Sequence, residues 1–120
     1  MFTKKQAVEI VEKLTELTQH NLLNWESVAP PLFMNSPDSR VDLVYTSQYS
    51  GTKIRIYLHH FKYNFDDERY IWDSQINFEF IDNIGNSIGM LPRTPNAYDL
   101  LHAVQFQNPQ ISGFYDSLFK

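Results

Sequence analysis

YIWDSQINFEFI, residues 70–81, is the stretch that decides the fold. Tyr70, Trp72, Ile76, Phe78 and Phe80 fall in one phase of a two-residue period, and Asp73, Gln75, Asn77 and Glu79 fall in the other. Successive side chains of a strand point to opposite faces, so the spacing predicts a long strand with one apolar and one polar face. KIRIYLHHFK, residues 53–62, alternates in the same way: Ile54, Ile56, Leu58 and His60 share one phase, and Lys53, Arg55, Tyr57 and His59 share the other. The second set reads as the wet face of a sheet, and the basic residues of this strand region, Lys53, Arg55 and Lys62, can pair with Asp73 and Glu79 of the neighbouring strand.

Working outward, Val41, Leu43 and Tyr45 alternate with Asp42, Val44 and Thr46 in a strand that runs to a turn at Tyr49-Ser50-Gly51-Thr52. On the other side, Asp82-Asn83-Ile84-Gly85-Asn86 is a turn signal that leads into a short strand, Ser87 to Leu91. Three successive hairpin-like links predict an antiparallel meander.

Helical patterns flank the strands. Thr3-Lys4-Lys5-Gln6 reads as a capping box, and Ala7, Ile10, Val11, Leu14, Leu17 and Thr18 follow it along one helical face, which fades between Gln19 and Asn21. Leu22 to Glu26 suits a short extended piece around Trp25. Ala29 to Ser39, with three prolines among Asn, Asp and Ser, has the chemistry of a long irregular loop. Thr94 as N-cap and Pro95 at the first helical position open a second helix, with Ala97, Leu100, Leu101 and Val104 facing inward. Asn108-Pro109 ends it, and Gly113 to Lys120 forms a final helical turn. The expected fold class is α+β: a twisted antiparallel sheet wrapped around an N-terminal helix, with a C-terminal helix, in a single domain over 1–120.

Composition narrows the function. At 120 residues, 42% hydrophobic and 20% charged, the chain has the make-up of a globular domain that needs no disulfide or structural metal to hold a core. The absence of cysteine excludes a disulfide framework, thiolate zinc sites and a thiol nucleophile, and fits a reducing compartment; a cytoplasmic protein is expected. The first residues lack the apolar run of a signal peptide, and no stretch approaches the ~18 apolar residues of a membrane span, so no membrane partner is expected. A formal net charge of -4 disfavours nucleic acid as a partner.

Catalytic signals are missing. His59 and His60 are adjacent on a strand and point apart, so they cannot readily share a metal; His20 and His102 read as structural. No Gly-x-Ser-x-Gly elbow, Ser-x-x-Lys pair or glycine-rich phosphate loop is present, which favours binding over catalysis and a protein that is not an enzyme. Aromatic residues make up 15% of the chain, and Trp72, Phe78 and Phe80 in one strand phase, with Tyr57, Tyr63 and Phe65 nearby, read mostly as core rings.

The acidic clusters are more pointed. Asp66, Asp67 and Glu68 sit at the tip between the two strongest strands, and Asp38 and Asp42 flank the loop that enters the sheet. Calcium takes about six to eight oxygens at a flexible site, which loop carboxylates, carbonyls and water can supply. The EF-hand register is absent: the loop beginning at Asp82 has its glycine too early, and Arg93 stands where the closing glutamate belongs. A solvated hairpin tip is the plainer explanation of the same residues.

The capped N-terminal helix, the Asn24-Trp25-Glu26 segment, the antiparallel sheet and the Phe78-Glu79-Phe80-Ile81-Asp82 strand end before a terminal helix together resemble the small cyanobacterial calcium-binding proteins of the CcbP type. The resemblance spans nearly the whole chain and rests on layout and a few apolar positions. It implies a sheet twisted around a helix and a non-EF-hand calcium site of loop carboxylates that sequesters intracellular calcium in a regulatory role. Asp38 carries over from that pattern; Asp42, Asp66, Asp67 and Glu68 join it through charge clustering, while Lys53, Arg55, Lys62 and Arg69 soften the acidity. The alternative is a protein-interaction module of the adaptor or immunity type that uses the acidic tip and sheet face without a metal. A hydrolase with Asp66 or Asp67 as general base comes third.

Overall fold

A computed structural model describes residues 1–120. The chain order is α1 (Lys4–Gln19), β1 (Glu26–Val28), a short 3-10 turn (Leu32–Met34), β2 (Ser39–Arg40), β3 (Val44–Tyr49), β4 (Thr52–Asn64), β5 (Tyr70–Ile81), β6 (Ser87–Met90), α2 (Ala97–Phe106) and α3 (Pro109–Leu118). The strands form a curled antiparallel sheet in the order β1-β3-β4-β5-β6, with β2 paired to β4, and the fold is α+β. No helix is long and apolar enough to cross a membrane.

The capping box forms as the residues dictate: the Gln6 amide donates to the Thr3 hydroxyl at 3.1 Å and the Thr3 amide donates to the Gln6 side chain at 2.9 Å. Ala7, Val11, Leu14 and Thr18 of α1 are buried, with Ile10 and Leu17 packed beside them. These residues meet Leu100, Leu101 and Val104 of α2 and, from the sheet, Ile54, Ile56, Ile76 and Phe78 in one apolar cluster. Gln107 ties the layers together: its amide nitrogen donates to the carbonyls of Thr18 and Leu23, and its carbonyl accepts from the Trp25 amide.

The spine is the β4–β5 hairpin, registered from Lys53↔Ile81 to Asn64↔Tyr70. At β3–β4, Ser50 and Gly51 both take positive φ, 51° and 80°, as a two-residue hairpin turn twisted to match its strands requires. The radius of gyration is 15.8 Å, against about 13.5 Å for a compact chain of this length. The excess fits a 53 Å long axis and a spine that outruns the layers packed on it.

Three expectations need correction. Thr94 does not cap α2; the helix begins at Ala97 with Asn96 at the N-cap, and the Thr94 hydroxyl is buried without a partner. Asn108-Pro109 ends one helix and starts another: the Asn108 side chain accepts from the Gln110 amide, and Pro109 occupies the first turn, where a missing amide costs nothing. Val41 to Leu43 lie outside β3, which starts at Val44.

Candidate functional site

Alternation along β4 and β5 sets which side chains share a face, and the covering layers set which of them are buried. In the half near Lys53 and Ile81, the face that reads as wet is closed over. Arg55 and Glu79, cross-strand partners, are 3% and 4% exposed, and Tyr57 and Asn77, the next pair, are also buried. The segment carrying Met34, Val41 and Val44 packs on Tyr57, while the turn after β5 reaches Arg55 through the Gly85 carbonyl at 3.0 Å. Alternation is therefore correct there, but solvation of Arg55 and Glu79 is not, because the Met34–Val44 segment and the turn after β5 close over that face, and Tyr57 is buried as a core ring.

This buried polar group is held by its own bonds. Arg55 Nη2 donates to Glu79 Oε2 at 2.9 Å and the Tyr57 hydroxyl donates to Glu79 Oε1. Burial pushes the Glu79 carboxyl up, but the hydrogen bonds from Tyr57, Arg55 and Ser87 and the Arg55 charge outweigh it and hold the acid below its ordinary value. Burial, with the bond to Glu79, pushes the Tyr57 phenol up to about 12. Nearby, His59 Nε2 lies 2.7 Å from Ser39 Oγ, which also donates to the Met34 carbonyl at 3.0 Å. Burial, then the adjacent His60, pulls the His59 imidazole below its ordinary value against a smaller upward pull from Glu79. A nucleophilic serine needs a base oriented by a third group. His59 Nδ1 is buried with no bonding partner, so the pair acts as a tie between β2 and β4.

Beyond these layers, the same ladder runs out into solvent. Tyr70 and Trp72, in phase with the core residues Ile76 and Phe78, are about half exposed, and so are Tyr63, Phe65 and Ile71 on the opposite face. These rings are not core: the phase of Tyr70 and Trp72 is right, but the helices on that face and the loop segment on the other both stop short of them. The Lys62 ammonium lies 4.4 Å from the Tyr70 ring centre and 5.7 Å from that of Trp72, a geometry that holds both rings in place. Arg40, Asp42, His60 and Trp72 surround a hollow of about 420 Å³ beside them. A hollow of about 480 Å³ at the other end of the ladder is lined by polar side chains such as Asn24, Glu26, Lys53 and Asp82, with Ile81 its one apolar residue.

The outer edge of β5 is open in the same half. The Leu91 amide donates to the Phe78 carbonyl, so the backbone of Phe78 faces outward, and by alternation so does that of Tyr70, Trp72, Ser74 and Ile76. β6 pairs only with Glu79, Phe80 and Ile81. Asp73 turns its carboxylate onto the Ser74 amide at 2.8 Å, which blunts one position of this edge.

The five carboxylates singled out in the sequence border this half of the hairpin, each in its own setting. Asp38 Oδ1 lies 3.7 Å from Lys62 Nζ. Asp42 accepts from Arg40 at 2.8 Å, and its other oxygen is 4.0 Å from His60. Asp66 accepts from the amides of Glu68 and Arg69 and from the Arg69 guanidinium, all at 2.8–2.9 Å, and these bonds, the Glu68 amide first, hold its carboxyl below its ordinary value. Asp67 and Glu68 stand exposed beside it at the tip. No group of three His, Cys, Asp or Glu side chains is placed to hold a metal ion, so a calcium site here would draw most of its oxygens from carbonyls and water.

The exposure of the rings of Tyr63, Phe65, Tyr70 and Trp72, with Ile71 beside them, is not read from the sequence pattern. The available signal was length: β4 and β5 carry 13 and 12 residues, about 40 Å of strand, while α1 at 16 residues spans about 24 Å. Comparison with family models, curated proteins and solved structures found no match.

Proposed function

We propose that the chain is a protein-binding module whose contact surface is the far half of the β4–β5 hairpin, and that it binds without catalysing a reaction. The observation that carries this reading is the exposure of Tyr63, Phe65, Tyr70, Ile71 and Trp72 on the two faces of one arm. Tyr, Trp and Arg dominate the energetics of protein interfaces, and here Arg40, Lys62 and Arg69 surround the rings with Asp38, Asp42 and Asp66 as partners. The open β5 edge favours an extended partner segment that adds a strand and seats alternate side chains beside Trp72 and Tyr70.

The test compares wild-type protein with Tyr70→Ala/Trp72→Ala as bait for affinity capture, with circular dichroism as the control for folding. A partner retained by the wild type and lost by the folded variant is the expected result. Equal recovery by both would remove the arm from the interaction.

Calcium sequestration is the competing reading. It draws on the layout resemblance and on five carboxylates at one end of the molecule, and it requires Arg69, Arg40 and Lys62 to yield their acids to the ion. Calorimetric titration of the chelator-treated protein with calcium, against magnesium, separates the two. Heat corresponding to micromolar or tighter affinity, about -8 kcal/mol, that disappears in Asp38→Ala or Asp66→Ala supports the ion, and a flat trace rejects it.

A further inference from the structure

α3 is an amphipathic helix whose apolar side is left largely in solvent. Ile111, Phe114, Tyr115 and Leu118 recur at the i, i+3, i+4, i+7 spacing of one helical face, and Phe119 extends the stripe. None of the ten residues of α3 is buried, and Phe114 is 67% exposed. Tyr115 stacks between Phe106 and Phe119, with ring centres 5.9 and 5.0 Å away, so the stripe is an ordered surface. Where the stripe begins, Ile111 also forms one wall of a groove of about 190 Å³ whose other apolar walls are Trp25, Leu43, Tyr45, Val104 and Pro109. Neither the groove lining nor the stripe contains a charged residue.

We propose that α3 is a self-association surface: two copies of the chain meet about a two-fold axis near Ile111, each laying its Phe114–Leu118 stripe over the other's Trp25–Leu43–Tyr45 groove. Area supports a second copy as the occupant. Aromatic side chains cover about 150–250 Å² each, so the stripe and Phe106, half to three-quarters exposed, offer on the order of 700 Å². The groove walls bring this to the roughly 800 Å² per partner of a standard stable interface. Self-complementarity supports it independently. Stripe and groove adjoin on the same copy and are both uncharged, so one rotation satisfies both at once and closes the assembly, as an isologous contact must. The surface is separate from the β4–β5 arm, and its failure leaves the arm's reading untouched.

Sedimentation of the full chain at about 50 µM, above the micromolar Kd that such an area supports, reads the state directly. The expected species has twice the mass of the chain. Phe114→Asp and Leu43→Asp, each at an exposed position outside the core, should each weaken association at least tenfold while leaving the far-ultraviolet circular dichroism unchanged. A wild-type monomer at that concentration overturns the proposal, and so does a variant whose dissociation constant, read from a dilution series, stays within a few-fold of the wild type's.

Discussion

The two halves of the β4–β5 ladder carry the same kind of sequence and meet opposite fates. Near Lys53 and Ile81, apolar residues are covered by α1 and α2 on one face, and Arg55, Tyr57, Asn77 and Glu79 are sealed under loops on the other. Near Asn64 and Tyr70, rings in the same phase stand in solvent, and the ion pairs Asp38–Lys62, Arg40–Asp42 and Asp66–Arg69 each have at least one exposed member. Alternation fixes which side chains share a face. Burial is decided by what is laid across that face, and here the covering layers stop midway. One half of the hairpin is spent on stability and the other remains available for contact.

The sharpest way to break this contrast is to remove one acid from the covered half. Glu79→Ala leaves Arg55 buried without its countercharge, and a loss of about 3–5 kcal/mol in urea-unfolding free energy is expected. Ile56→Ala, in the fully buried core of the same strand, should cost about 2–5 kcal/mol.

Acid sharpens the contrast without mutation. The folded-state pKa of Glu79 lies below its unfolded value, so the unfolded chain binds the proton more readily. Its contribution is complete above the unfolded value of about 4.3 and is lost as pH falls through the folded one. The wild type should therefore lose stability more steeply than Glu79→Gln below about pH 4.5 in a thermal-melt series. At the alkaline end the sign reverses: Tyr57 is raised to about 12, so its contribution holds below pH 10 and fades as pH rises toward that value.

Smaller effects belong to the open half. Trp72→Ala should change unfolding free energy by about 1 kcal/mol yet weaken partner binding by about 2 kcal/mol or more, as a central aromatic anchor does. Lys62→Met, which removes the charge over Tyr70 and Trp72, should cost about 0.5 kcal/mol in stability.

What was legible in the sequence follows the same division. The capping box at Thr3, the full extent of β5, the turn at Ser50-Gly51 and the inward face of α2 at Leu100, Leu101 and Val104 rest on local periodicity and turn chemistry, and all are present. The solvated face at Arg55 and the core rings at Trp72, Tyr63 and Phe65 fail for one reason: local pattern assigns a phase and says nothing of the layer above it. α3 reads in the sequence as no more than a terminal turn, because Asn-Pro signals a helix start and a helix stop alike, and only its neighbours decide. Asp66, Asp67 and Glu68 lie at the hairpin tip as the sequence pattern expects, whereas the meeting of Asp38 with Lys62 depends on strand pairing that charge clustering cannot supply.

The most direct measurement is photo-crosslinking in cells from a light-activated residue placed at position 72, with the same residue at position 9 on the exposed side of α1 as control. A discrete adduct with another protein from position 72, absent from position 9, is the expected result. No adduct at 72, or the same products from both positions, would contradict an arm held open for a partner.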